Sequence, residues 1–547
     1  MMTEPTRRGF IRTAGLGLAG AVFRSRETDA APPIEIRDRW VYVSTNLQVD
    51  ANVPVLEKLF QRAARAGYNG IALTDSKFAK LGDVPDRYFH NAAQVKKIAG
   101  DLKLEIIPGV FPVGYSEAIL WHDPNLAEAM PVLDALFVVQ KGEARLQPDP
   151  PVILKGGDFS DLKQWGWKDD LVEADNGAIR ITDPKGRNAR VSQKLSLQPF
   201  RQYHLSVRVK TQNLQATPEV KLLAPGNRAL NYAYLGVKPT QDWTTHHVVF
   251  NSLDHTEVQL YLGVWGGGTG LLWWDDAHLE EVGLVNLVRR AGAPLLVKQE
   301  NGSALVEGKD FERVIDPRSG MVPWKGSFEV WHEPPAIRTS LPEGTRLRVS
   351  YYHAITVNDA QVMICPSEPG TVELLRDQAR RVHALWGARS YFMQHDEIRV
   401  LNWCAACQRR KLDAGAILAD NVRTCIRILR EVNPGGRVFV WNDMFDPHHN
   451  AQKDYYLVHG DLTGSWEGLD KGVGIAQWNF GQREQSLKWF ADRGHTQVIA
   501  GYYDSQPEQI RTWLEAARKT GGVSGVMFTT WRNNYTDLER FAELLRE

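Results

Sequence analysis

Short β-rich runs alternate with helix-period stretches near both ends of this 547-residue chain, and a long helix-free interval divides the two series. That interruption constrains the fold more than any single motif does. Runs at residues 40–46, 70–75 and 104–110 predict strands, and the periodicity of residues 53–66 and 92–102 predicts helices between them. Strands alternating with helices at this spacing imply βα units and a parallel sheet. The rhythm stops at the Pro-rich break Gln147-Pro-Asp-Pro-Pro151. It returns with strand-like runs at residues 347–353, 390–395, 437–442, 473–478, 497–503 and 525–530, with helices predicted at 418–432 and 509–519. A (β/α)₈ TIM-like barrel takes eight strands, and this count gives nine. The expectation is an interrupted α/β barrel with one run outside it, the one beginning at Leu347.

Between the two series, residues 149–282 carry alternating apolar and polar runs with Gly, Pro and Asn turns, the pattern of an antiparallel β-sandwich. Gly157-Asp158-Phe159 opens the interval, Trp273-Trp274-Asp275-Asp276-Ala277-His278-Leu279 closes it, and Tyr203-His-Leu-Ser-Val-Arg-Val-Lys-Thr211 lies between. These three pieces in this order resemble jelly-roll carbohydrate-binding modules, which implies an inserted domain of that type with or without sugar binding. Residues 283–345 stay rich in β signals and turns without an assignable motif. The expected division is a leader at 1–31, the first part of the barrel at 32–148, the inserted sandwich at 149–282, a β-rich bridge at 283–345 and the second part of the barrel at 346–547.

The leader has its own signature. Thr6-Arg-Arg-Gly-Phe-Ile-Arg12 precedes an apolar, glycine-rich run to Phe23, and Ala30-Ala31 offers small residues for cleavage. This pattern predicts twin-arginine export and a periplasmic or secreted protein. The apolar run is about half the ~20 residues a membrane span needs, so no membrane association is expected of the mature form. Lys plus Arg and Asp plus Glu both number 65, and a zero balance gives no reason to expect nucleic acid or another polyanion. Four cysteines are too few for a disulfide scaffold in a chain of this size. Cys404-Ala-Ala-Cys407 is a C-x-x-C without a second half, so a loop clip or two plain thiols is expected there, with no metal and no cofactor.

In barrels of this kind the working residues collect at the C-terminal ends of the strands. Those ends supply Asn46, Asp75, Tyr352, His353, His395, Asp396, Glu397, Trp441, Asp443, Trp478, Tyr502, Asp504 and Trp531. Carboxylates ringed by aromatics suit a pyranoside, whose C–H face lies on rings while its hydroxyls meet carboxylates. The sharpest motif is Tyr391-Phe-Met-Gln-His-Asp-Glu-Ile-Arg399, an apolar strand running into the only Asp-Glu dipeptide of the chain. Neighbours on a strand point to opposite faces, so both carboxylates can serve one pocket only where the backbone turns.

At this point the sequence resembles glycoside hydrolase family 20, the β-N-acetylhexosaminidases, and sister families with the same pair. Asp396-Glu397, Val440-Trp441-Asn442-Asp443-Met444, Gln477-Trp478, Tyr502-Tyr503-Asp504 and Trp531 follow the family order. The resemblance implies retaining, substrate-assisted hydrolysis of terminal β-linked GalNAc or GlcNAc. It implies Glu397 as acid and base, Asp396 on the acetamido nitrogen, Tyr502 on the acetamido oxygen, and Trp441, Trp478 and Trp531 as walls. Asp75, Tyr352, His353, His395, Asp443 and Asp504 are the further candidates for substrate contact.

Three departures concern the outer hydroxyls. Gln394-His395 precede the pair where small residues are usual, Asn46 replaces an arginine at the first strand end, and Trp531-Arg532-Asn533 lacks a following acid. They leave the choice of sugar open, including a β-N-acetylgalactosaminidase. Two other readings stay open: a conventional two-carboxylate glycosidase using Asp443 or Asp75 beside Glu397, and a non-catalytic glycan-binding protein.

Overall fold

The computed structural model describes residues 34–324, 326–358 and 361–546. The twin-arginine expectation for residues 1–31 lies outside the described residues. Eight parallel strands close into a barrel. They are β1 (Asp38–Ser44), β2 (Gly70–Thr74), β3 (Glu105–Val110), β4 (Ser390–Met393), β5 (Arg437–Trp441), β6 (Val473–Gln477), β7 (Gln497–Ile499) and β8 (Val523–Phe528). Val41 of β1 pairs with Phe528 of β8, which closes the ring. Val110 pairs with Met393, so β3 meets β4 across the whole intervening stretch.

Helices α1 (Asn52–Ala66), α2 (Asp86–Asp101), α3 (Pro369–Trp386), α4 (Ala414–Val432), α5 (Arg483–Asp492), α6 (Gln509–Thr520) and α7 (Leu538–Leu544) accompany the barrel strands. Alternate residues of each strand divide between two cores, because successive side chains point to opposite faces. Trp40, Tyr42, Ala72, Ile107, Phe392, Phe439, Trp441, Ala476 and Met527 fill the interior. Val41, Val43, Ile71, Leu73, Met393 and Val440 join the outer core. Gly474 leaves room for the Phe439 ring, since a Cβ there would lie 2.3 Å from it. Between β5 and β6 there is no α-helix, but two short 3₁₀ turns, Asp443–Phe445 and Ser465–Gly468, and the two-residue strand Leu457–Val458.

Two five-stranded antiparallel sheets are built from the strands between Trp167 and Val282. Gln202–Gln212 lies between Gln241–Asn251 and Leu271–Val282 in one and Glu257–Val264 at the middle of the other, each burying alternate apolar residues such as Leu205, Val207 and Val209, or Val258, Leu260 and Leu262.

A third sheet bears on two expectations, one kept and one changed. The run beginning at Leu347 lies outside the barrel, as anticipated: Arg346–His353 pairs antiparallel with Met130–Gln140 and with Leu296–Gln299. Its burial alternates residue by residue, whereas β2 and β6 are buried throughout. A strand covered on one face keeps the alternation, and a parallel strand enclosed on both faces loses it. The changed expectation is a boundary. Met130–Gln140 and Glu143–Leu146 belong to this same sheet, not to the barrel, together with short strands from the bridge such as Ile337–Arg338.

The third sheet is joined to one of the two five-stranded sheets, the one holding Gln202 and Asn251, by a buried polar seam. His353 Nε2 lies 3.0 Å from the Asn251 amide, and Nδ1 lies 3.1 Å from both Gln202 Nε2 and the Ala354 carbonyl. Asn251 also donates to the Pro131 carbonyl at 2.9 Å, and Gln202 donates to the Val285 carbonyl at 3.0 Å. Burial lowers the His353 pKa from 6.5 to about 4, so the ring is neutral. No helix among the described residues is long and apolar enough to cross a membrane.

Candidate active site

β4 ends at Met393, and Gln394 still donates its N–H to the Val110 carbonyl at 2.8 Å. Three residues later Glu397 takes a left-handed conformation, φ 49°. Such a conformation in a non-glycine residue is uncommon and persists where surrounding bonds enforce it. Here they do. The Glu397 N–H donates to Asp443 Oδ2 at 2.8 Å, and its carbonyl accepts from Gln361 Nε2 at 3.0 Å. Gly114 packs so closely that a Cβ would lie 1.9 Å from the Asp396 carbonyl oxygen. The turn supplies the break in strand alternation that two adjacent carboxylates need to serve one site. Asp396 and Glu397 are each only 2% exposed.

Glu397 is held at its carboxylate too. Oε2 lies 2.8 Å from Arg399 Nη2 and accepts a hydrogen bond from the Tyr115 hydroxyl. Arg399 Nη1 bonds the Gln361 side-chain oxygen, and Gln361 Nε2 reaches the Gly114 carbonyl at 2.9 Å. The Tyr456 ring lies 5.0 Å from the guanidinium, within cation–π range. Burial opposes the Arg399 charge, and the Glu397 carboxylate with its tyrosine neighbours outweighs it, raising that pKa above its ordinary value.

Asp443 and Asp75, the two carboxylates available for a conventional pairing, are both engaged in shaping the backbone. Besides the Glu397 N–H, Asp443 accepts from Asn450 Nδ2 at 3.1 Å and Trp478 Nε1 at 3.3 Å, and it is fully buried. Asp75 caps the 3₁₀ turn after β2 by accepting from the Lys77 N–H, and it also accepts from the Leu47 N–H and the Tyr88 hydroxyl.

The aromatic residues form a connected wall. Trp441 lies 4.7 Å from Phe392, 5.9 Å from Tyr42 and 5.9 Å from Trp531, between ring centroids. Trp531 stacks parallel to Tyr502 at 6.5 Å, and both keep part of their surface in solvent. Trp478 meets His449 edge-on at 4.5 Å. Asp504 accepts from the Thr530 hydroxyl at 2.5 Å and the Trp531 N–H at 3.2 Å. Burial, then the bond to Asp504, pushes the Tyr502 pKa up to about 12, so its hydroxyl keeps a proton to donate.

Three candidates lie apart from this wall. His395 is buried behind the pair with Nε2 3.1 Å from Asn421 Oδ1 on α4, and burial lowers its pKa to about 4. Tyr352 and His353 belong to the third sheet, so they do not stand at a barrel strand end as expected. Their strand is the run expected outside the barrel, and its last residues nonetheless stand among the strand-end candidates. Conversely, Tyr115, Gln361 and Tyr456 were not anticipated. Tyr115 and Gln361 stand on the chain leaving β3 and on the chain returning toward α3, where spacing along the sequence carries no hint that they meet. Arg399 alone had a local signal, two residues after Glu397.

No family model matches the chain, and no curated protein matches it. Among solved structures it is similar to a Flavobacterium johnsoniae chitobiase (FjGH20), at 9% identity and TM-score 0.37, over 94% of this chain and 48% of that one. It is also similar to a rhamnosidase from Novosphingobium sp. PP1Y, at 11% identity and TM-score 0.31, over 92% of this chain and 56% of that one. The chain thus spans about half the length of each enzyme. A family 16 carbohydrate-binding module is similar over 23% of this chain and 97% of its own, at 18% identity and TM-score 0.19. These neighbours are glycoside hydrolases and carbohydrate-binding modules, and the barrel itself rests on the strand pairing described above.

Proposed function

We propose that this protein is a glycoside hydrolase that removes terminal β-linked N-acetylhexosamine, GalNAc or GlcNAc, by retaining, substrate-assisted catalysis. The observation that carries the reading is the left-handed turn at Glu397 in the Asp396-Glu397 pair, pinned by Asp443, which also accepts from Trp478 of the aromatic wall. Glu397 protonates the glycosidic oxygen while the substrate's acetamido oxygen attacks the anomeric carbon and the leaving group departs. Asp396 accepts the acetamido N–H and balances the oxazolinium charge, and the Tyr502 hydroxyl, turning from Asp504, donates to the acetamido oxygen. Trp441, Trp478 and Trp531 press the acetamido group under the anomeric carbon, where proximity lowers the barrier. The Glu397 carboxylate then takes a proton from the water that opens the ring, with net retention. Arg399 and Tyr115 give that carboxylate a paired resting place in the ionised half of the cycle.

In a conventional two-carboxylate mechanism Asp443 or Asp75 would act beside Glu397, and each would then serve catalysis while also holding the backbone turn it caps. The sandwich is read as a carbohydrate-binding-module-like jelly roll. The twin arginines near the N-terminus support export, which places the glycan outside the cytoplasm.

Hydrolysis of nitrophenyl β-glycosides of GlcNAc, GalNAc, glucose and galactose tests the mechanism. Cleavage confined to the acetamido sugars, inhibition by a thiazoline mimic of the oxazoline, and a loss of at least ~100-fold in Glu397→Gln are expected. Cleavage of glucosides, or indifference to the thiazoline, sinks the substrate-assisted route. Unchanged glycan binding in Glu397→Gln by a wild-type protein that cleaves none of the four favours a binding protein instead.

A further inference from the structure

Away from the carboxylate pair, three of the four cysteines converge on one buried carboxylate. Cys365, Cys404, Cys407 and Glu128 each offer a ligand atom, and these atoms all lie within 4.8 Å of one another. The four side chains come from three separate stretches of chain. Glu128 precedes the long strand of the third sheet, Cys365 lies just before α3, and Cys404 and Cys407 flank the start of the short helix Ala405–Gln408.

The spacings single out a common centre. Cys365 Sγ lies 3.4 Å from Cys404 Sγ and 3.6 Å from Cys407 Sγ. Glu128 Oε2 lies 3.7 Å from Cys404 Sγ and 3.5 Å from Cys407 Sγ. With zinc–sulfur bonds of ~2.3 Å and zinc–oxygen bonds of ~2.0 Å, tetrahedral geometry sets S···S at about 3.8 Å and S···O at about 3.5 Å. These four separations match within a few tenths of an ångström, and the remaining two lie within 4.8 Å. A disulfide would select one pair at ~2.0 Å, whereas Cys365 stands nearly equidistant from two partners. Sulfurs this close are also too crowded to surround a multi-iron cluster.

The carboxylate is already oriented for the task. Glu128 Oε1 accepts the N–H groups of Trp403 and Cys404, each at 2.9 Å, which turns Oε2 toward the sulfurs. Glu128 is 1% exposed and the three cysteines are 0% exposed. Arg290, itself paired with Glu368 at 2.8 Å, is the cation that acts on Glu128; one shared guanidinium compensates a buried carboxylate and three ionised thiols only in part, and a divalent cation supplies the rest. Cys425, the remaining cysteine, lies elsewhere on α4, with Asn421 as its neighbour.

We propose that Cys365, Cys404, Cys407 and Glu128 form a closed, structural zinc site. Three sulfurs and one oxygen complete a tetrahedron with no open position, the arrangement of a structural site and not a catalytic one. Binding releases the thiol protons to solvent and joins the chain just beyond the Asp396-Glu397 turn to the start of the third sheet and to the entry of α3.

Metal content of the full-length protein, purified under reducing conditions without chelator, tests the assignment independently of any activity. One zinc per chain is expected. Replacement by cobalt is expected to give thiolate-to-cobalt charge-transfer absorption with the intense bands of a tetrahedral ion. Cys365→Ser should lose the stoichiometric metal, Cys425→Ser should keep it, and Glu128→Gln, which retains the three thiolates, should weaken zinc binding at least about ten-fold. Zinc-supplemented protein that carries no bound metal, with four thiols titrating as free or any two joined as a disulfide, overturns the proposal. Full metal content in a Cys365→Ser, Cys404→Ser double variant overturns it as well. Wild-type metal content and the cobalt spectrum decide the question even where a cysteine variant fails to fold.

Discussion

Gly114 has no side chain because the Asp396 carbonyl occupies that space. An added Cβ, 1.9 Å from that oxygen, forces the loop carrying Tyr115 or the turn carrying Glu397 to move. Gly114→Ala is therefore expected to cost roughly 100-fold in kcat/KM on the acetamido glycosides, since a misplacement of about 1 Å at a reacting group has that effect. A preserved circular dichroism spectrum beside the lost rate separates this displacement from unfolding. Removing Asp443 acts differently. Asp443→Ala removes one acceptor from each of the Glu397 N–H, Asn450 Nδ2 and Trp478 Nε1, and a buried donor that loses its bond costs ~1–3 kcal/mol. Its signature is a lower denaturation midpoint as well as lost activity. The Asp-Glu pair and the following Arg399 were visible in the sequence because they are contiguous. Tyr115, Gln361 and the Glu128–Cys365 half of the cysteine cluster were not, because each reaches its partners only through the tertiary fold. The lone C-x-x-C looked incomplete for the same reason.

The strands teach a related lesson about burial. Ile71-Ala72-Leu73 and Val438-Phe439-Val440-Trp441 are apolar without a break, and they are enclosed between barrel interior and helices. Arg346-Leu347-Arg348-Val349-Ser350 alternates, and it lies in an antiparallel sheet with one covered face. The ninth strand was thus distinguishable by period, while the membership of Met130–Gln140 was not, because its apolar run is nearly continuous. That third sheet and the strand-end turn both bury neutral histidines. His353 and His395 each fall from 6.5 to about 4 through burial, so the unfolded chain binds protons that the fold refuses. Each contributes stability that is complete above pH 6.5 and is lost as pH falls toward 4, to a total of roughly 3 kcal/mol apiece. Melting temperatures measured across that window are expected to drop on acidification. His353→Gln should lower the midpoint at neutral pH and flatten the slope below it.

Over the whole molecule, the sandwich is tied in at more than its ends. Gln202 and Asn251 satisfy His353, Arg228 bonds Asp454 at 3.0 Å and the Val458 carbonyl at 3.2 Å, and Tyr232 lies 4.2 Å from Tyr456. Tyr456 in turn covers the Arg399 that holds Glu397. Calorimetry should therefore record one cooperative transition with matching calorimetric and van't Hoff enthalpies. Two resolved transitions would show the sandwich and barrel to be energetically separate. The pairing of Val110 with Met393 has a consequence for the order of synthesis. At ~5–20 residues per second, the ribosome leaves the edge of β3 without its neighbour for roughly 15–60 s, while the contiguous sandwich has all its own strands in hand. The nascent chain therefore carries a finished appendage on three open strands of the eight, and the interval before Met393 emerges is when a chaperone would have most to protect.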